Sequence, residues 1–443
     1  MAALDPRTPK GMRDFLPDDL LKRQYVFDTI IDVFETFGFE PLDTPALEMR
    51  ETLHSGDMGE DAVKQIFYAQ HPEGKEELAL RYDLTVPLAR VVAQYENQLT
   101  LPFRRYHIAP VWRSERPQRG RYREFYQCDA DIVGIESMIA DAEILSLVVT
   151  ALRRLGFREF ETQINNRKII TGIGEYVGVP PARRASLYRS IDKLDKIGLA
   201  GVRKELAASG IAPDAIDRMM ALLQIPTGGV DTLGHLREEL DGIAIAREGI
   251  TELIELASHL EAFDVPANHY TFNPAMVRGL GYYTGPVFET FITEPNLGSV
   301  TGGGRYDNLV GMFRKQSLPT TGTSLGVERI IDLMDELSLY PPTLAPTVVQ
   351  VLVTVFGADT RAAAQGFTAR LRAAGIHTEL YLEARKIGKQ LAYADRKGIP
   401  LVVLLGSEEI KAGTVSIKRL RDGEERTVPQ AEAAATIRDL LAG

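Results

Sequence analysis

The chain has 443 residues, of which 44% are hydrophobic and 25% charged, and its net charge is −10. This length predicts two or three domains, and no stretch approaches the roughly 20 consecutive apolar residues of a membrane span, so a cytoplasmic protein without a secretory signal is expected. The one cysteine, Cys128, cannot form an internal disulfide or a cysteine-rich zinc site, and the seven histidines show no metal-binding spacing, so no protein-held metal is expected.

Hydrophobic periodicity predicts a mixed helix-and-strand order in the first part of the chain. Apolar residues recur at helical spacing before Gly38, which ends the first helix. Two longer strands are joined by an arginine-rich loop and form a hairpin. The predicted elements are a helix at 18–37, an extended piece at 39–45, a strand at 76–82, a helix starting at Thr85, strands at 103–112 and 123–134, and a helix at 138–155.

The middle of the chain predicts a helical insertion, from about 168 to 262, between strand-forming segments. Strands follow at 269–292 and 298–306, and a helix at 325–337. Residues 341–347 contain three prolines and predict a linker between domain 1–340 and domain 348–443. Strands and helices alternate beyond this linker, which predicts a mostly parallel sheet covered by helices.

Residues 104–123 concentrate positive charge in an otherwise acidic chain, with seven arginines, one acidic residue and no lysine. The net charge alone argues against a nucleic-acid partner, and a charge run is usually a solvated face. Aromatic residues such as Trp112 and Tyr122 are interleaved here, which a solvated face rarely shows. Arginine binds phosphate oxygens in pairs, so Arg113, Arg121 and Arg123 predict an anion site on the hairpin.

Two further hairpin residues suit a nucleotide base. Glu115 can accept a hydrogen bond from an exocyclic amine, and Phe125 can stack on a ring. A phosphate-binding arginine set beside a base-binding pair predicts an ATP site.

At this point the sequence resembles a known family. The segment VWRSERPQRGRYREFYQCDADIVG is similar to motif 2 of class II aminoacyl-tRNA synthetases in its histidyl form, and TGTSLGVERI to motif 3. The segment VRGLGYYTGPVFE, at 277–289, resembles the histidine-binding signature of histidyl-tRNA synthetases, and departs from it at Gly281. With the opening KGMRDFLP, a motif 1-like unit ending at Pro45 and the C-terminal domain, the resemblance covers nearly the whole chain.

The resemblance implies an α+β fold, with a class II catalytic domain on an antiparallel sheet, a helical insertion and a C-terminal anticodon-binding domain. It implies that histidine is activated with ATP and Mg²⁺ and transferred to tRNA-His, by a homodimer. The implied site residues are Arg113 and Arg278 for catalysis; Arg113, Glu115, Arg121, Phe125 and Arg329 for ATP; Asp83, Leu84, Thr85, Arg113, Gln127, Asp131, Arg278, Tyr282 and Tyr283 for histidine; and Arg116, Gln118 and Arg119 for the tRNA acceptor stem.

Alternatives stay open for several of these residues. Asp83 and Thr85 alternatively only cap a helix, and Tyr282 and Tyr283 alternatively pack in a core. Asn165 and Arg167 fit the family pattern without an assigned role. Other interpretations of the whole chain are a non-catalytic regulatory subunit of histidine biosynthesis, a sensor of uncharged tRNA, and another amino-acid specificity. The basic residues of the last domain belong either to an RNA contact or to a solvated face, and they are Lys386, Lys389, Arg396, Lys397, Lys418, Arg419 and Arg421.

Overall fold

The computed structural model describes residues 4–54, 64–277, 283–383 and 385–442. The chain divides into two compact units, Met1–Asp14 with Tyr25–Tyr340 and Phe15–Gln24 with Pro341–Gly443. None of the helices in these described ranges is long and apolar enough to span a membrane.

The first unit is built on an eight-stranded sheet in the order β1-β5-β6-β11-β10-β9-β7-β8. Neighbouring strands are antiparallel except at the two edges, where β1 pairs with β5 and β7 with β8 in parallel. A three-stranded sheet, β2-β4-β3, lies in the same unit. The strands are β1 (Glu40–Pro41), β2 (Leu47–Met49), β3 (Tyr68–Ala69), β4 (Leu78–Leu80), β5 (Phe103–Trp112), β6 (Glu124–Val133), β7 (Phe160–Asn166), β8 (Tyr270–Phe272), β9 (Pro286–Ile292), β10 (Ser299–Arg305) and β11 (Thr320–Gly326).

Side chains alternate between two faces along β5 and β6, as the pleat requires. One face is apolar and joins the core that includes the buried side of helix Pro17–Thr36. The other, called here the polar face, carries the charged and amide side chains. The core face includes Tyr106, Cys128, Ala130 and Ile132, and the polar face includes Arg105, Gln127, Asp129 and Asp131.

Eleven α-helices are described up to residue 336, and six of them lie between residues 167 and 262, where the sequence predicts a helical insertion at about 168–262. The strand-forming segment predicted at 269–292 contains two separate strands in the structure. Its two ends form β8 and β9, and Tyr283 lies before β9, because Asn273 and Pro274 begin a turn directly after β8. The helices are Pro17–Thr36, Arg50–His54, Thr85–Gln94, Ile139–Arg154, Arg167–Tyr176, Pro181–Ile191, Leu194–Ala208, Pro213–Leu223, Val230–Glu239, Ala244–Ala262 and Val327–Glu336.

The second unit has a mixed sheet, in the order β13-β12-β14-β15-β16. The predicted parallel pairing holds for β13, β12 and β14, but β14–β15 and β15–β16 are antiparallel. Five residues join β15 to β16, and a parallel crossover needs a dozen or more. The elements are β12 (Val351–Val353), helix Ala358–Ala373, β13 (Thr378–Leu380), helix Ile387–Lys397, β14 (Leu401–Leu404), helix Ser407–Ala412, β15 (Thr414–Arg419), β16 (Glu425–Pro429) and helix Ala433–Ala442.

Candidate active site

The loop between β5 and β6 forms an arm over the edge of the polar face. Its base is closed by a hydrogen bond from the Arg113 amide to the Arg123 carbonyl, at 2.8 Å. Its tip is a tight turn in which the backbones of Gln118 and Arg121 exchange two hydrogen bonds. Gly120 has φ +69° there, a conformation that glycine adopts at little cost.

A cavity of about 240 Å³ lies between this arm and the start of helix Val327–Glu336. Residues from the hairpin, from β10 and from that helix line it. The structure therefore brings together all five residues predicted to bind ATP. These are Arg113, Glu115, Arg121, Phe125 and Arg329.

Cations and an aromatic ring face one another within the cavity. The Arg113 guanidinium lies 5.1 Å from the centre of the Phe125 ring, and its Nε donates to the Tyr82 carbonyl at 2.9 Å. Arg121 Nη1 lies 4.0 Å from a Glu115 carboxylate oxygen, and the Arg121 side chain is 50% exposed. Arg329 donates to the Ser299 carbonyl. Such a set can hold several phosphate oxygens while a flat ring stacks on Phe125.

A second group, which the sequence does not predict, lies beside the cavity and is formed by Arg13, Tyr122, Tyr126 and Glu328. The Arg13 guanidinium stacks 3.3 Å from the centre of the Tyr122 ring and forms an ion pair with Glu328. The Tyr126 amide donates to the other Glu328 oxygen at 3.4 Å. Arg13 lies in the opening segment KGMRDFLP, and Glu328 lies in the helix start VERI. No local sequence pattern in either segment predicts that the two meet.

The floor of the polar face is a buried charge cluster around Arg105. Its Nη2 lies 2.8 Å from Asp131 Oδ2 and donates to the Leu84 carbonyl at 3.2 Å. Tyr306 donates to Asp131 Oδ1, and Gln127 donates to Ser324 at 2.9 Å. Burial raises the pKa of Asp129 to about 7, against the opposing effect of Arg105. Arg105, Asp129 and Tyr306 were not predicted, although Asp129 lies between Gln127 and Asp131 on one face of a strand.

Several buried polar atoms of this floor have no hydrogen-bond partner among the residues that the structure describes. They are Arg105 Nε and Nη1, Gln127 Oε1, Asp129 Oδ1 and Asp131 Oδ2, of which the last is at ion-pair distance from Arg105. Buried polar groups in proteins are normally paired with protein, water or ligand. The floor is therefore suited to a small polar molecule.

The turn before helix Thr85–Gln94 covers one side of this floor. The Val86 amide in the first turn of the helix donates to Asp83 at 3.3 Å, which is a contact of the capping kind, although Leu84 occupies the cap position itself. Burial also raises the pKa of Asp83 to about 6, with Arg113 acting in the opposite direction. Leu84 contributes its carbonyl, while its side chain is fully buried among Ala109, Val111 and Phe125. Thr85 opens the helix at the same turn.

The remaining predicted residues either lie outside the described ranges or are not among those that line the cavity. Arg278 and Tyr282 lie outside the described residues, and Tyr283 is half-buried against a core cluster that includes Tyr306. Asn165 donates to the carbonyls of Pro274 and Met276, so it holds the segment leading to residue 278. Arg167 lies over the Tyr188 ring of the insertion, 5.3 Å from its centre.

The residues predicted for the tRNA acceptor stem lie at the exposed tip of the arm. Arg116, Gln118 and Arg119 are all exposed. Arg119 pairs with Glu336 at 2.8 Å, while no hydrogen bond or ion pair is recorded for the side chains of the other two within the described ranges.

An antiparallel sheet that carries an arginine hairpin, opposite a helix-borne arginine across a cavity, is the arrangement expected for the catalytic domain of a class II aminoacyl-tRNA synthetase. The family model for histidyl-tRNA synthetase matches residues 11–330, and a model for an anticodon binding domain matches residues 350–440. The chain therefore belongs to the histidyl-tRNA synthetase family.

Similar proteins cover the full length of the chain. The histidine–tRNA ligase of Aeropyrum pernix is 41% identical over 100% of both chains, and that of Bacteroides fragilis is 40% identical over 97% of this chain and 98% of its own. The crystal structure of histidyl-tRNA synthetase from Nostoc sp. PCC 7120 has a TM-score of 0.87 at 33% identity and covers 99% of this chain and 100% of its own.

Proposed function

We propose that the chain is a histidine–tRNA ligase. It activates L-histidine with ATP, giving histidyl-adenylate and pyrophosphate, and then transfers histidine to the 3′-terminal ribose of tRNA-His. The observation that carries this proposal is the convergence of Arg113, Glu115, Arg121, Phe125 and Arg329 on one cavity, in a chain that matches its family over nearly its full length.

ATP occupies that cavity in the proposal. Its adenine stacks on Phe125, and its exocyclic amine donates to Glu115. Arg121 and Arg329 hold the outer phosphates. Arg113 holds the α-phosphate together with Arg278.

Histidine occupies the neighbouring polar face. Its ammonium pairs with Asp83 at the turn that Leu84 and Thr85 complete, and its ring N–H donates to Asp131. Gln127 has a buried oxygen, Oε1, that is suited to the ammonium end, and Tyr282 and Tyr283 close the pocket. Because the ring donor meets a buried carboxylate, an amino acid without that donor would lose this hydrogen bond while still displacing water from the carboxylate, and is rejected.

The first chemical step requires no side-chain nucleophile. The histidine carboxylate attacks the α-phosphorus, and pyrophosphate leaves. The protein contributes positioning and fixed positive charge near the phosphorus, which are the main sources of catalysis in phosphoryl and nucleotidyl chemistry. Mg²⁺ would be held through phosphate oxygens and water, since both oxygens of the nearby Glu328 already have protein partners.

The tRNA meets both units in the proposal. Arg116, Gln118 and Arg119 contact the acceptor stem, and residues 348–443 bind the anticodon region as the domain that follows the 341–347 linker. The catalytic domain is then 1–340, with its insertion at about 168–262. We further propose a cytoplasmic homodimer, on the resemblance of the first helix and Pro45 to motif 1, and sedimentation of the purified protein tests the dimer.

Pyrophosphate exchange into ATP tests the activation step, with the purified chain and each of the twenty amino acids in turn. Exchange driven by histidine alone supports the proposal and its specificity. Folded protein that binds histidine but gives no exchange would instead favour the regulatory-subunit interpretation. Exchange with another amino acid would replace histidine as the substrate.

A further inference from the structure

Arg105 is the most completely buried cation of the polar face. Its relative exposure is 0%, and it is among the largest fully buried side chains of the described residues. Removing a guanidinium from water is unfavourable unless opposite charge and hydrogen bonds compensate for it. The burial of Arg105 at the floor of a substrate pocket therefore indicates a role in that pocket.

The contacts of Arg105 join two separate parts of the proposed histidine pocket. One Nη2 atom lies 2.8 Å from Asp131 on β6 and 3.2 Å from the Leu84 carbonyl. Leu84 directly follows Asp83, the proposed partner of the substrate ammonium. The Arg105 side chain therefore sets the distance between Asp131, the proposed partner of the substrate ring, and the turn at Leu84 that precedes the helix.

The surroundings of Asp131 leave it little freedom of its own. Arg105 and Asp131 are directly opposite each other in the β5–β6 ladder, and Gly322 is opposite Asp131 on β11. A Cβ at Gly322 would lie 1.9 Å from Asp131 Oδ1, so glycine makes the space that this carboxylate occupies. Tyr306 donates to that same oxygen, which leaves the second oxygen for Arg105.

The balance of buried charges also supports a role for Arg105 in the pocket. Asp83, Asp129 and Asp131 are three buried or partly buried carboxylates close to one buried cation. Burial raises the pKa of Asp131, and Arg105 opposes that effect more strongly than Tyr306 does. Without Arg105 the pKa of Asp131 would be raised further, which disfavours the ionised form that accepts from an imidazole N–H.

We propose that Arg105 is a positioning residue for histidine selection, which holds the Asp131 carboxylate in place for the substrate ring. This inference rests on the proposed function, because it assigns the ring-binding role to Asp131. Among the described residues, the side-chain partners of Arg105 are Asp131 and the Leu84 carbonyl and include none of the proposed ATP residues, so its effect is expected on histidine affinity.

A double-mutant cycle between Arg105→Met and Asp131→Asn tests it, with histidine affinity measured by calorimetry and the KM values for histidine and ATP by pyrophosphate exchange. We expect Arg105→Met to weaken histidine binding at least about tenfold, because breaking the buried ion pair leaves the Asp131 carboxylate without its nearest cation, with the ATP KM and kcat nearly unchanged. In the Asp131→Asn background the same change should cost less than about threefold, because the two residues act as one unit.

Arg90→Met is the matched control for lost stability, since Arg90 forms three hydrogen bonds to the buried Glu48 and contacts no pocket residue named above. It should lower the melting temperature and leave histidine affinity unchanged. Equal losses in both Asp131 backgrounds, or normal histidine binding by Arg105→Met, would overturn the proposal. Wild-type protein that binds histidine without exchange refutes the ligase function alone, and the binding arm of the cycle still decides the role of Arg105. Wild-type protein that does not bind histidine refutes both.

Discussion

Asp83 combines a contact with the helix start and a position suited to binding the substrate ammonium. Asp83 is held beside Arg113 and accepts a hydrogen bond from the Val86 amide in the first turn of the helix. A capping role and a substrate role are therefore compatible, because one carboxylate has enough acceptor sites for both. The two interpretations of Asp83 that the sequence leaves open, helix capping and substrate binding, therefore do not exclude each other.

Asp83→Asn should change the pH dependence of histidine activation. Burial raises the pKa of Asp83 to about 6, so its ionised form, which pairs with the substrate ammonium, is lost as pH falls through about 6. We expect kcat/KM for histidine in pyrophosphate exchange to be lower in the variant, with a shallower decline from about pH 8 to about pH 5.5.

The substrate ring titrates near pH 6.5 and affects both proteins equally. Asparagine also caps helices well, so the helix start should be retained. Profiles of wild type and variant that run parallel would mean that Asp83 does not titrate in the reaction.

Arg278→Ala tests the second proposed α-phosphate contact, which only the sequence predicts. Loss of one charge-stabilising donor typically costs about a hundredfold in rate. The variant should fold normally and lower adenylate formation by at least about that factor, measured by single-turnover formation of histidyl-adenylate. Near-normal activation by a folded variant would remove Arg278 from the mechanism.

At the scale of elements, the hairpin arm and the helix carrying Arg329 form the ATP cavity from two sides. A Cβ at Gly120 would lie 3.1 Å from Arg329 Cγ, at a residue whose φ is +69°. The turn at the tip of the arm therefore depends on the absence of a side chain, and the arm and the helix are closely fitted there.

Gly120→Ala should raise the KM for ATP several-fold, because the added methyl displaces Arg329 as well as straining the turn. The strain itself should cost about 1 kcal/mol of stability. Gly38→Ala is the matched control, since Gly38 has φ +74° and a Cβ there would meet no atom within 4 Å. The two variants should lose similar stability, measured by urea unfolding, and only Gly120→Ala should lose ATP affinity. If Gly120→Ala and Gly38→Ala had equal KM values for ATP, ATP binding would not depend on the close fit between the arm and Arg329.

At the scale of the whole molecule, the second unit carries exposed cations on helix Ile387–Lys397 and just before it. Lys386, Lys389 and Arg396 are exposed, whereas Lys397 is already paired with Glu379 and Tyr393. The structure therefore separates three candidates for an RNA contact from a fourth that has a protein partner.

Replacing Lys386, Lys389 and Arg396 together with alanine should weaken tRNA charging far more than adenylate formation. Each lost phosphate contact should also lower the salt dependence of tRNA binding by about one ion. The comparison is pyrophosphate exchange against aminoacylation at several salt concentrations. Lys411→Ala is the control, because Lys411 is exposed in the same unit and pairs only with Glu408 among the described residues. Unchanged charging by the triple variant would assign these cations to a solvated face.

Local patterns in the sequence determined most of the element order, because apolar periodicity and turn residues act over a few neighbours. The hairpin strands at 103–112 and 123–134 agree with β5 and β6 within one residue. The residues proposed to bind ATP were also accessible from sequence, since four of the five lie within one continuous run, from Arg113 to Phe125.

Only the tertiary structure decided which distant residues meet. The ion pair of Arg13 with Glu328 and the cluster of Arg105 with Leu84 and Asp131 join segments far apart in the chain. Strand direction in the second unit was decided in the same way, because helix and strand alternation does not specify how β14, β15 and β16 pair. Contacts of this kind depend on how faces pack across the sheet, and no local pattern in a single sequence encodes that pairing.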